Sequence, residues 1–142
     1  MKDIRSGSPG KTWLCLAAIA ILAQGCTKPG AWSGVFASDL AGGAKTCVAS
    51  AAAPPDGQTV LAQMQVSNEG GWCGIAASRG GSPFESYLLA ARPAHGRVFA
   101  HRVGTGTRID YTPNPGFVGT DSFAVRMLPG NAVVQGAVTV TK

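Results

Sequence analysis

From Ser86 to the C-terminus, turn-forming residues interrupt the sequence about every ten positions, and the runs between them alternate apolar with polar residues. This rhythm constrains the fold more than any other feature. "SYLLAARP" is a strand closed by Pro93, since proline cannot continue a ladder. "GRVFAHRV" and "TRIDYTP" flank "GTG", which supplies the permissive backbone of a tight hairpin. In "DSFAVRML", Phe123, Val125 and Met127 alternate with Ala124 and Arg126. After the turn "LPGN", "AVVQGAVTVT" sets Val134, Gly136, Val138 and Val140 on one face. Upstream, "QTVLAQMQV" places Val60, Ala62, Met64 and Val66 together, "WCGIAAS" is a second apolar run, and a short strand fits Lys45 to Ser50. Short strands at this spacing predict an all-β sandwich or barrel of antiparallel strands with short connections.

The N-terminus has a different character. Lys2, Arg5 and Lys11 precede an apolar run from Trp13 to Ala23, the layout of an export signal. The run is shorter than the roughly 20 apolar residues of a bilayer-crossing helix. A signal anchor and a buried helix of a cytosolic domain are the alternatives. The sequence "LAQGC" resembles a bacterial lipobox, in which the cysteine is lipidated and becomes the mature N-terminus; Gly25 and Cys26 fit its two closest positions. Leu22 stands one place early and Gln24 is an uncommon filler, so an ordinary signal-peptidase site nearby is the competing reading. The Pro/Gly-containing "TKPGAWSG" that follows suits a tether. The expected organisation is a signal peptide at 1–25, a lipidated tether at 26–43 and a folded domain at 44–142.

Charge and cysteine usage follow from this organisation. The chain carries a formal net charge of +5, which falls to +3 once the signal's three basic residues and one acidic residue are set aside. The remaining arginines are spread singly from Arg79 to Arg126, so no nucleic-acid partner is expected. Cys15 leaves with the signal and Cys26 would carry lipid. In an oxidising compartment, Cys47 and Cys73 are then most simply a disulfide, worth roughly 3–4 kcal/mol on the chain-entropy model. A redox pair lacks the CxxC spacing, and two cysteines without nearby histidines make a poor zinc site.

"PAHGRV" followed by "YTPNPGFVGTDSFAVRM" resembles the C-terminal half of bacterial immunoglobulin-like, cadherin-like domains. Pro93, His95, Gly96, Val98, Tyr111, Pro113, Phe117, Gly119, Asp121 and Phe123 fall on that pattern. The resemblance implies an immunoglobulin-like antiparallel β-sandwich, preceded here by the signal segment and a flexible tether. It is nearly silent on activity, because such modules serve as spacers, adhesins and enzyme accessories. The family usually occurs in tandem, whereas this chain holds one copy. The clustered acidic residues of calcium-binding cadherins are missing, so no metal is carried over. Tyr111, Pro113, Phe117, Gly119, Asp121 and Phe123 are expected to build the corner between sheets, with Asp121 bonding nearby backbone as in an Asx-turn.

Catalytic patterns are not found. His95 and His101 lie about 20 Å apart on an extended strand, too far to share one metal ion. His95 belongs to the turn pattern, and His101 is expected to be a solvated strand residue. "GTGT" lacks the glycine spacing, helix and lysine of a phosphate loop, and "SPGK" falls within the signal. No catalytic residue and no cofactor are expected. Trp72 is expected either to pack in the core on the disulfide or to serve as an exposed ligand platform. The sequence thus points to a non-enzymatic envelope lipoprotein, anchored on the periplasmic side or at the surface. Its membrane contact would be the lipid, and its partners envelope proteins or polysaccharide. A carbohydrate- or cell-wall-binding module using Trp72 is the alternative.

Overall fold

The structure is a computed structural model and describes residues 34–142. In chain order these form one helical turn, α1 (Ala37–Leu40), and eight strands. The strands are β1 (Cys47–Ala49), β2 (Thr59–Ser67), β3 (Cys73–Ala77), β4 (Ser86–Ala91), β5 (Gly96–Val103), β6 (Gly106–Pro113), β7 (Gly119–Leu128) and β8 (Ala132–Thr141). They build an all-β sandwich from a five-stranded sheet, β1-β2-β8-β7-β4, and a three-stranded sheet, β3-β6-β5.

Period-two alternation decides which side chains fill the space between the sheets. Ala62, Met64 and Val66 of β2, Phe123, Val125 and Met127 of β7, and Val134, Val138 and Val140 of β8 point inward. Cys73, Ile75 and Ala77 of β3 meet them with Ile109 and Tyr111 of β6. Each large side chain so buried contributes about 1.5–3 kcal/mol. Gly136 interrupts the valines of β8 because the Phe123 ring occupies the place its Cβ would take.

One pairing differs from the antiparallel expectation. β2 and β8 run parallel along their full length, Thr59↔Val133 through Ser67↔Thr141. A parallel pair needs a long crossover rather than a hairpin. Here the whole of β3 to β7 forms that crossover, so local turn signals carry no trace of it. Pro113, expected to lie outside the sheet, is instead the last residue of β6 and pairs with Gly96. It closes the ladder from within.

The Cys47–Cys73 disulfide joins β1 of the larger sheet to β3 of the smaller one, with Cα atoms 5.2 Å apart. It cross-links the sandwich at the edge where β1 is only three residues long. Replacing both cysteines by serine should therefore lower unfolding stability by about 3 kcal/mol. The check is urea unfolding of the variant beside the parent, with and without reductant; reductant should shift only the parent.

Candidate functional site

Three surfaces carry polar or exposed groups that the core does not explain. The first is the corner. Asp121, near the start of β7, accepts hydrogen bonds on Oδ1 from the N–H groups of Ala94 (3.0 Å) and Ser122 (2.8 Å). Its Oδ2 accepts from the His95 N–H (2.8 Å) and the Tyr111 hydroxyl (2.9 Å). Only the Ser122 bond is local, so Asp121 is more than the Asx-turn expected: it ties the β4–β5 connection to β7. The His95 ring stacks on Phe117, with centroids 4.2 Å apart, and Phe117 stays half-buried while Phe123 is in the core. Gly119 has φ 143°, a conformation that residues with a Cβ rarely adopt.

The electrostatics of this corner follow from its contacts. Burial alone would raise the Asp121 pKa, but three backbone N–H donors and the Tyr111 hydroxyl outweigh it and hold the carboxyl below the usual value. Burial first, then the Asp121 carboxylate, pushes the Tyr111 phenol above its ordinary range. Neither group is poised for proton transfer near neutrality. A carboxyl depressed in the folded state stabilises the fold above its unfolded pKa, and that contribution fades as pH falls through the folded value. Asp121→Asn should cost about 1–2 kcal/mol at pH 7, the difference from the parent shrinking below about pH 4. Urea unfolding at a series of pH values measures this directly.

The second surface is the outer face of the three-stranded sheet. Arg108 of β6 donates to both oxygens of Asp110, Nε to Oδ1 at 2.7 Å and Nη2 to Oδ2 at 3.0 Å. The His101 Nε2 lies 2.8 Å from Asp110 Oδ2, so His101 is a hydrogen-bond partner of Asp110 rather than the solvated residue expected. Phe99, 65% exposed, lies beside the His101 ring. Gly74 makes room for the group: a Cβ there would stand 2.7 Å from Asp110 Oδ1 and 2.8 Å from the Arg108 Cδ.

Trp72 belongs to this outer face. Its indole lies over the Arg108 guanidinium, 3.7 Å from ring centroid to Cζ. It lies outside the core cluster, which corrects the expected packing on the disulfide. The reason is alternation: Cys73 faces inward, so its neighbour must face out. The indole N–H donates to the Ala41 carbonyl (2.9 Å), and Arg108 Nη1 donates to the carbonyl of Asp39. Residues 34–43, assigned to the tether from sequence, therefore run across this face, where Gly34 reaches the β5–β6 turn at Gly104. Val103, fully buried yet outside the core cluster, is on the same face. Trp72→Phe combined with Arg108→Leu should free this strap. Hydrogen exchange at the Asp39, Ala41 and Ala44 amides should rise about tenfold or more, while β7 and β8 stay protected.

The third surface is formed by two of the four sheet edges, β4 and β5, which follow each other in sequence and lie at the ends of their sheets away from the disulfide-linked β1 and β3. β5 carries Arg97, His101 and Arg102. β4 carries no charge from Ser86 to Ala91, and Leu88 and Leu89 are 56% and 40% exposed.

The remaining features offer little chemistry. A shallow depression of about 430 Å³ beside β1 is lined by Val48, Ser50, Gln63, Gln65 and Thr139, without a charged side chain. Among the described residues no three His, Cys, Asp or Glu side chains are grouped to hold a metal ion. Cys26 and the segment 1–25 expected to be a signal peptide lie outside the described residues. No known family's model matches the chain, and no curated protein matches it either.

The sequence reading missed the Trp72–Arg108–Asp110–His101 group. Its signal lay in the hairpin: once Gly104 and Thr105 make the turn, His101 must oppose Arg108, and Phe99 must oppose Asp110.

Proposed function

We propose that the protein is an envelope lipoprotein whose single immunoglobulin-like module is a non-enzymatic interaction domain, held at the membrane through Cys26 and docking an extended segment on β4. The observation that carries this reading is the β4 edge itself. Exposed sheet edges template pairing with another chain, and folded proteins usually blunt them with charge. The β5 edge is blunted in this way; β4 presents Leu88, Leu89 and two alanines. Strand addition takes its affinity from backbone hydrogen bonds and its specificity from alternate side chains.

The immunoglobulin-like part of the reading is supported by strand order. The β3-β6-β5 sheet opposite β8-β7-β4 corresponds to the B-E-D and G-F-C sheets of that fold. The Tyr111–Asp121 bond joins the end of β6 to the start of β7, the strands corresponding to E and F, and immunoglobulin domains have their tyrosine corner at that junction. Carbohydrate binding through Trp72 is the weaker reading, because the ring is stacked on Arg108 and bonded to Ala41.

Two substitutions test the proposal. Cys26→Ser should move the protein from the membrane fraction to the soluble one and abolish incorporation of labelled fatty acid. Leu88→Lys, at an exposed position, should leave folding intact and eliminate crosslinks formed in the envelope from a photoreactive residue at position 86. Retention of those crosslinks would remove β4 as the docking edge.

A further inference from the structure

The charges bracketing β4 narrow what can pair with it. Glu85 immediately precedes the strand and Arg92 immediately follows it, with no charge between them. A parallel copy of this segment would oppose like charges at both ends. An antiparallel copy would oppose Glu85 with Arg92 twice. The segment is therefore complementary to itself in one orientation only.

The bulge in β4 sets the register. Leu89 pairs with Val125 and Ala91 with the next residue of β7 in the ladder, Ala124, leaving Ala90 as an additional residue. Counted along the chain with Ala90 set aside, Arg92 stands as many residues after Leu88 as Glu85 stands before it, each just beyond an end of the strand. A two-fold axis at Leu88 would thus bring Glu85 of each chain to the end of the pair where Arg92 of the other stands. Leu88 meets its own copy on the outer face, because it pairs with outward-facing Arg126. Tyr87 meets Leu89. Cross-strand pairs of opposite charge and of apolar residues are those that stabilise antiparallel ladders. Without the bulge, the charged residues would fall out of step by one position.

We infer that β4 is a homodimer edge: two copies of this chain pair antiparallel through β4 about a two-fold axis at Leu88, joining their five-stranded sheets into one. This rests on the reading of β4 as a docking edge and names its occupant. The interface is isologous, so it closes at two copies and does not propagate. Chains anchored in one membrane surface would meet at raised effective concentration, which suits a small edge-to-edge contact.

Sedimentation equilibrium of the full chain exported with Cys26→Ser tests the pairing over a wide concentration range. The parent should show a monomer–dimer equilibrium. Arg92→Glu and Glu85→Arg should each weaken it by about tenfold or more, since like charges then face each other at both ends. Mixing the two single variants should restore dimers, because unlike charges again meet at both ends of a mixed pair. A parent that stays monomeric, or a dimer indifferent to both substitutions, would overturn the proposal. A photoreactive residue at position 86 in the envelope separates the two readings. A crosslinked band at twice the mass supports self-pairing. Crosslinking only to a different protein overturns self-pairing and leaves the docking edge standing. No crosslink at all sinks both.

Discussion

A single carboxylate holds the connection between the two sheets. Asp121 is charged in the folded state because three backbone N–H groups and one phenol converge on it. Two of those N–H groups, from Ala94 and His95, lie some 26 residues away in a connection with no ladder of its own. Without that acceptor this exposed connection would turn its two N–H groups to water and lose its tie to β7. The corner is therefore a lock between β4–β5 and β7, with Phe117 stacked over it on His95. Its chemistry is structural: every oxygen lone-pair direction of use is already taken by the fold.

The same accounting applies to the outer face of the smaller sheet. Arg108 spends its donors on Asp110 and the Asp39 carbonyl, and Trp72 spends its N–H on Ala41. A buried ion pair is costly unless its remaining hydrogen bonds are met, and the strap meets them. The segment leading toward the N-terminus thus completes a polar cluster that the sheet cannot satisfy alone. Covering this face also shields Val103, which no strand of the opposing sheet could reach.

How much of this was legible follows from the range of each interaction. Strand faces were readable in Phe123, Val125 and Met127, or in Val134, Val138 and Val140, because alternation is local and one face is buried. The disulfide is legible from the number and spacing of the cysteines together with an expected oxidising compartment. Packing of Trp72 on the disulfide, one of its two expected placements, fails because sequence neighbours on a strand point to opposite faces and Cys73 faces inward. Asp121 is expected from sequence to bond nearby backbone, but it lies within β7 and its partners Ala94 and His95 come from another connection. The parallel β2–β8 pairing left no local trace at all.

The corner and the open edge are mechanically one feature. β4 ends at Ala91, Arg92 follows, and Ala94 and His95 are held by Asp121. Only Pro93, itself restricted in φ, stands between Arg92 and that anchor. Arg92 is thereby presented at a fixed place at the end of an uncharged edge, where an untethered loop would let it swing. A strand edge selects among partners only if its register is pinned, since a slip by one residue turns every side chain to the other face. In this chain the bulge sets the count along β4 and Asp121 fixes its end. Those two devices convert an open edge, ordinarily a route to indiscriminate pairing, into one that accepts a particular alignment.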